Sequence, residues 1–101
     1  PVVSGGLTQQ EINAVIRANL NQIRHCYEQL LQRSPSAQGK LTTGFVIGTD
    51  GSVTTSEIKT GTLTDSVMQG CVTSRIARWK FPKPRGGQPV TVTYPFVFTP
   101  A

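Results

Sequence analysis

Leu41-Thr42-Thr43-Gly44-Phe45-Val46-Ile47-Gly48-Thr49-Asp50-Gly51-Ser52-Val53 is the stretch from which the fold can be read. Its first half has a period of two. Leu41, Thr43, Phe45 and Ile47 alternate with Thr42, Gly44 and Val46, as one buried face of a strand requires. Asp50-Gly51 then reverses the chain, and Ser52 to Lys59 returns as a second strand, so a β-hairpin is expected here. Val53 and Ile58 have opposite parity; both face the core only if a bulge lies between them.

On the N-terminal side of the hairpin the period changes to that of a helix. Ile12, Val15, Ile16, Leu20, Ile23, Tyr27, Leu30 and Leu31 recur at steps of three and four. Thr8 can cap this helix, Glu11 can return the bond, and Leu7 can staple onto Ile12. The helix is expected from Gln9 to Arg33, where Ser34-Pro35 stops it. On the C-terminal side, Leu63-Thr64-Asp65 repeats the same start signals. Val67, Met68, Cys71, Val72, Ile76 and Trp79 follow helical spacing, giving a second helix from Asp65 to Lys80 that ends before Phe81-Pro82. A Pro/Gly-rich connector, Pro82 to Pro89, leads to a last strand whose Val90, Val92, Tyr94, Phe96 and Phe98 share one face. Pro95 confines that strand to an edge or a bulge.

The order helix, strand, strand, helix, strand predicts an α+β domain. A right-handed crossover places the third strand beside the first, for a three-stranded antiparallel or mixed sheet of order 2-1-3 with both helices on one face. Residues 1–6 read as a linker from a longer upstream protein, and residues 7–101 as the domain.

Cys26 and Cys71 are the only two cysteines, each on the apolar stripe of a helix. A disulfide between them fits a small domain in an oxidising compartment, closing a loop that stabilises by roughly 4 kcal/mol in the chain-entropy model. Two buried free thiols are the alternative. With 37 % hydrophobic and 15 % charged residues the chain has the composition of one globular domain. No apolar run reaches membrane-spanning length and Pro1 to Gly6 is not a signal peptide, so any export signal or anchor is expected outside these residues. A net charge of +5 favours an anionic neighbour without choosing among acidic protein, envelope polymer, membrane surface and nucleic acid.

Residues that invite a chemical reading have plainer ones. His25 and Cys26 are adjacent on a helix and point about 100° apart, which is no nucleophile pair. One His, two Cys and scattered carboxylates give no zinc spacing. Glu11, Glu28, Asp50, Glu57 and Asp65 are each explained by a cap, a turn or an exposed face. Gly48-Thr49-Asp50-Gly51 lacks the Lys-Ser/Thr of a phosphate loop and is followed by a strand. No cofactor and no catalytic residue is expected. Half of the ten basic residues, Arg75, Arg78, Lys80, Lys83 and Arg85, fall within eleven positions around Trp79. They read as a cationic helix end or as a landing patch for an acidic partner or anionic envelope polymer. A basic nucleic-acid module is a further alternative, weakened because the aromatics share their faces with core aliphatics.

Asp50-Gly51-Ser52-Val53, a short helix, then Arg78-Trp79-Lys80-Phe81-Pro82-Lys83-Pro84 and a final strand together resemble the TonB C-terminal domain family, over about Leu7 to Phe98. Arg24-His25-Cys26-Tyr27-Glu28, the second helical cysteine and Val92-Thr93-Tyr94-Pro95-Phe96 are similar, within that family, to the C-terminal domain of myxobacterial AgmX/PglI gliding-motility proteins. The resemblance implies a non-enzymatic, periplasmic protein-binding module of an inner-membrane-anchored protein, passing force or position to a periplasmic or outer-membrane partner in gliding motility or TonB-like transport. It also implies that an extended peptide segment adds to the edge of the last strand, at Thr91, Thr93, Pro95, Val97 and Thr99. A monomer or a strand-exchanged dimeric spacer is expected.

Overall fold

The computed structural model describes residues 2–100. Its elements are β1 (Val2–Ser4), α1 (Gln9–Arg33), β2 (Gly39–Ile47), β3 (Val53–Gly61), α2 (Ser66–Ile76) and β4 (Val90–Phe98), with a short 3-10 turn at Arg85–Gly87 before β4. The sheet order is β1-β4-β2-β3 and every neighbouring pair is antiparallel. The three expected strands keep their expected order, with β2 in the middle. The sheet has a fourth strand, because Val2, Val3 and Ser4 in the expected linker pair with Thr93, Val92 and Thr91. Pro1 and Ala101, at the ends of the expected linker and domain, lie outside the described residues.

α1 forms where its cap places it. Thr8 Oγ1 accepts from the Glu11 N–H at 3.1 Å while Glu11 Oε1 accepts from the Thr8 N–H at 2.9 Å, so two orphan donors of the first turn are satisfied. Leu7 and Ile12 are both buried beside that cap. One face of the helix, Ile12, Ile16, Ile23, Cys26, Tyr27 and Leu30, then goes into the core. In the hairpin, Gly51 has φ +90°, and a Cβ there would meet the Phe81 carbonyl oxygen at 2.1 Å; only glycine fits. The expected bulge is present: the β2–β3 register skips Thr54, so Val53 and Ile58 both pack against the core. A second skip falls at Lys59.

α2 is shorter than its spacing predicts. Asp65 is its cap, accepting from the Met68 N–H at 2.9 Å, and the helix ends at Ile76 rather than Lys80. Beyond that point the backbone tightens to three-residue bonds, Arg78 N–H to the Arg75 carbonyl and Trp79 N–H to the Ile76 carbonyl. Tertiary bonds take over from the helix: Trp79 Nε1 donates to Gln22 on α1 at 3.0 Å, Lys80 bridges to Ser52, and the Phe81 N–H donates to the Gly51 carbonyl at 2.9 Å.

Leu41, Thr43, Phe45 and Ile47 of β2 and Val90, Val92, Phe96 and Phe98 of β4 meet the helices in one core. Burying these side chains supplies most of the stabilisation, at roughly 25 cal/mol per Å² of apolar surface. Cys26 and Cys71 form a disulfide with a Cα–Cα distance of 5.7 Å, tying α1 to α2. A second tie joins the same helices: Arg33 Nη1 and Nη2 reach the two Asp65 carboxylate oxygens at 3.0 and 3.1 Å.

Candidate functional site

β4 pairs with β2 along its whole length, from Val90 opposite Ile47 to Phe98 opposite Gly39. Its other side is covered by β1 only at Thr91–Thr93; beyond Thr93 no described residue pairs with it. The last strand is therefore half interior and half edge. Backbone direction follows from one bond. The Tyr94 carbonyl accepts from Thr43 Oγ1 at 2.9 Å and so faces β2. Alternation along an antiparallel strand turns the backbone groups of Thr91, Thr93, Pro95 and Val97 outward. Pro95, opposite Thr42, thus removes a donor from the open edge and none from the β2–β4 ladder.

Of the expected edge residues, Thr91 and Thr93 lie under β1, Pro95 and Val97 lie on the open part, and Thr99 follows the strand. Their side chains alternate with the buried ones, and Val97 is 72 % exposed. The opposite edge of the sheet is less inviting. β3 carries two register skips and a Glu57–Lys59 pair, features that blunt an edge against added strands.

Beside the open edge, α1 and β4 enclose a groove of about 240 Å³, lined by Leu20, Ile23, Arg24, Tyr27, Phe96, Val97, Phe98 and Thr99. Its floor is built from aromatic pairs: Tyr27 and Phe98 have ring centroids 5.1 Å apart, Phe96 and Phe98 6.4 Å. Tyr27 is oriented by its hydroxyl, which donates to the Ala37 carbonyl. Leu20 is partly exposed at the rim. Leu20 and Arg24 were absent from the sequence-based site. Leu20 counted as one more position of the core stripe, and the surplus of aromatics in β4 was the available signal.

The five basic residues have different surroundings. Arg85 grips both Glu11 oxygens at 2.8 and 3.0 Å and donates to the Gly6 carbonyl. These bonds raise the Arg85 pKa and hold Glu11 at about 2, with the Thr8 N–H the next cause. Lys80 Nζ donates to Ser52 Oγ at 3.1 Å, near Asp50, whose carboxyl is lowered mainly by the Ser52 backbone and hydroxyl donors. Arg75 keeps its Nε buried without a hydrogen-bond partner among the described residues. Arg78 and Lys83 are exposed. His25 sits against Gln29 on the outer face of α1, and among the described residues no three His, Cys, Asp or Glu side chains converge.

The nucleic-acid alternative needs aromatics on the open sheet face. Phe45, Phe96, Phe98, Phe81 and Trp79 are all buried instead.

Comparison with known proteins bears on the same elements. No curated protein sequence matches. Among solved structures, the Pseudomonas aeruginosa TonB C-terminal domain superposes with a TM-score of 0.56 at 23 % identity, covering 72 % of this chain and 75 % of that one. The Helicobacter pylori TonB C-terminal domain gives 0.52 at 22 % identity, covering 95 % and 96 %. These two likenesses establish the fold. The family model described as Gram-negative bacterial TonB protein C-terminal matches residues 32–100, from the end of α1 through β4. With the hairpin, the crossover helix and the half-open last strand all inside that match, the chain belongs to the TonB C-terminal family.

Proposed function

We propose that this domain is a non-enzymatic, periplasmic docking module that binds an extended segment of an envelope protein along the open edge of β4. The observation that carries this reading is the unpaired outer side of β4 beyond Thr93, running beside the apolar α1–β4 groove. An added strand would gain main-chain bonds from the edge and send every second side chain toward Leu20, Ile23 and Phe96. The disulfide fits an oxidising compartment. The parent protein would be anchored in the inner membrane and pass force to a periplasmic or outer-membrane partner. The Arg24-His25-Cys26-Tyr27-Glu28 and Val92-Thr93-Tyr94-Pro95-Phe96 signatures favour a gliding-motility machine of the AgmX/PglI type over transport. Arg78 and Lys83 would serve as a selector for an acidic surface.

Site-specific photo-crosslinking in the periplasm tests this. Thr99→p-benzoylphenylalanine is expected to give a discrete adduct with one envelope protein, and Thr55→p-benzoylphenylalanine on β3 none. Val97→Pro, which removes an outward donor, and Leu20→Asp, which charges the groove, should each cut the Thr99 adduct about tenfold or more, the scale of losing a central contact. An adduct insensitive to both substitutions would move the docking surface away from this edge.

A further inference from the structure

The docking edge proposed above is already in use over part of its length. β1 lies on it antiparallel, Val2 opposite Thr93 and Ser4 opposite Thr91. Outward N–H donors on β4 come from Thr91, Thr93 and Val97, because Pro95 has none; two of the three are under β1. A partner strand confined to the open half therefore meets a poor ladder, and a partner that reaches the covered half meets a good one.

β1 is lightly held. Three residues form no strand of their own, and only Val3 packs against the core. Behind β1 stands a latch. The Arg85 N–H donates to the Gly6 carbonyl at 3.0 Å, Arg85 Nη1 to the same oxygen at 3.2 Å, and the rest of the guanidinium holds Glu11. A Cβ on Gly6 would collide with the Arg85 backbone at 2.1 Å, so the close approach that makes the latch depends on glycine there. By contrast, β4 is joined to β2 through nine register pairs with the core beneath them.

We propose that β1 is a releasable strap, and that the docking edge is nine residues long rather than the open portion alone. The partner segment it fits is an uncharged extended strand with an apolar residue at every second position. It would engage Tyr94–Phe98 beside the groove first, then displace β1 and refill the site of Val3 with a valine-sized side chain. The chemistry of the edge sets that choice: no charged residue occurs between Val90 and Thr99, the Val3 site is apolar, and the groove is lined by apolar and aromatic side chains apart from Thr99 and the solvent-exposed Arg24. The Arg85–Gly6–Glu11 latch governs how readily β1 yields. This inference rests on the docking reading of β4.

The test uses the full chain in three forms: wild type, Arg85→Ala, which removes the guanidinium bonds of the latch to Gly6 and Glu11 and leaves the backbone bond, and the oxidised Val2→Cys/Thr93→Cys pair with β1 locked in place. Two synthetic probes are titrated, a nonapeptide of alternating valine and threonine flanked by lysines, and its five-residue version. Because a closed strap lowers apparent affinity by the fraction of open molecules, the nonapeptide should bind Arg85→Ala about tenfold tighter than wild type and the locked form about tenfold more weakly. The five-residue peptide should bind all three alike. Equal nonapeptide affinities in the three forms would overturn the strap. Absence of binding by either peptide would overturn the docking edge, and amide exchange in the free protein then decides the strap separately. Ser4, Thr91 and Thr93 amides, which face one another across the β1–β4 pair, should exchange at least about tenfold faster than those of Thr43–Phe45, and faster again in Arg85→Ala. Uniform protection across these sites would show that β1 opens only with the whole domain.

Discussion

Glu11 and Asp65 each join a helix start to a distant arginine, and both carboxyls are held at about 2, by Arg85 and Arg33 respectively before any backbone donor. In the unfolded chain they return to ordinary values near 4. A carboxyl depressed by folding contributes stability that is complete above its unfolded value and lost as pH falls through its folded one. The urea midpoint should therefore hold from pH 7 to about 5 and fall between about pH 4 and 2. Glu11→Gln and Asp65→Asn should each lower the midpoint at neutral pH and flatten that acid limb. Limbs of unchanged slope in both variants would assign the acid sensitivity to other groups. Gly51 gives a second expectation at this scale. Gly51→Ala must take a left-handed conformation against the Phe81 carbonyl, and should destabilise by about 2 kcal/mol or more, measured by thermal or urea unfolding.

Between elements, the strongest statement is the covalent one. Reduction, or Cys26→Ala with Cys71→Ala, should lower stability by roughly 4 kcal/mol on the chain-entropy account, with near-native far-ultraviolet circular dichroism below the midpoint. A loss under about 1 kcal/mol would mean that the unfolded chain is already compact around these helices. Where each element begins was legible wherever the signal was local. The Thr8–Glu11 box places the start of α1 to the residue, and the parity conflict of Val53 and Ile58 requires the bulge found at Thr54. The end of α2 was not legible, because Trp79 and Lys80 are drawn out of the helix by Gln22 and Ser52, distant in sequence. β1 was hidden for the same reason: Val2–Ser4 is extended only because β4 lies alongside. The groove was hidden because Leu20 has the residue type and spacing of a core position, and only the placement of α1 against β4 leaves its rim open.

Over the whole molecule, two of the five residues of the basic cluster seen in sequence are engaged internally, with Arg85 on Glu11 and Lys80 on Ser52. The long-range field still carries a net +5, and Arg78 and Lys83 face solvent. Charge reversal at both, Arg78→Glu with Lys83→Glu, should slow association with an acidic envelope partner about tenfold at low salt and flatten its salt dependence, leaving dissociation nearly unchanged. Unaltered association kinetics would return both residues to ordinary solvated positions. If the domain transmits tension, as the proposed function requires, the disulfide acquires a mechanical meaning. It bridges a sequence separation of 45 and so closes the hairpin and the first half of α2 into a covalent loop. At about 3.4 Å per residue that loop withholds roughly 150 Å of contour length from extension. A pull entering through α1 and leaving through β4 would then stretch only the chain outside the loop, and the domain would act as a short, stiff coupling rather than as a spring that pays out under load.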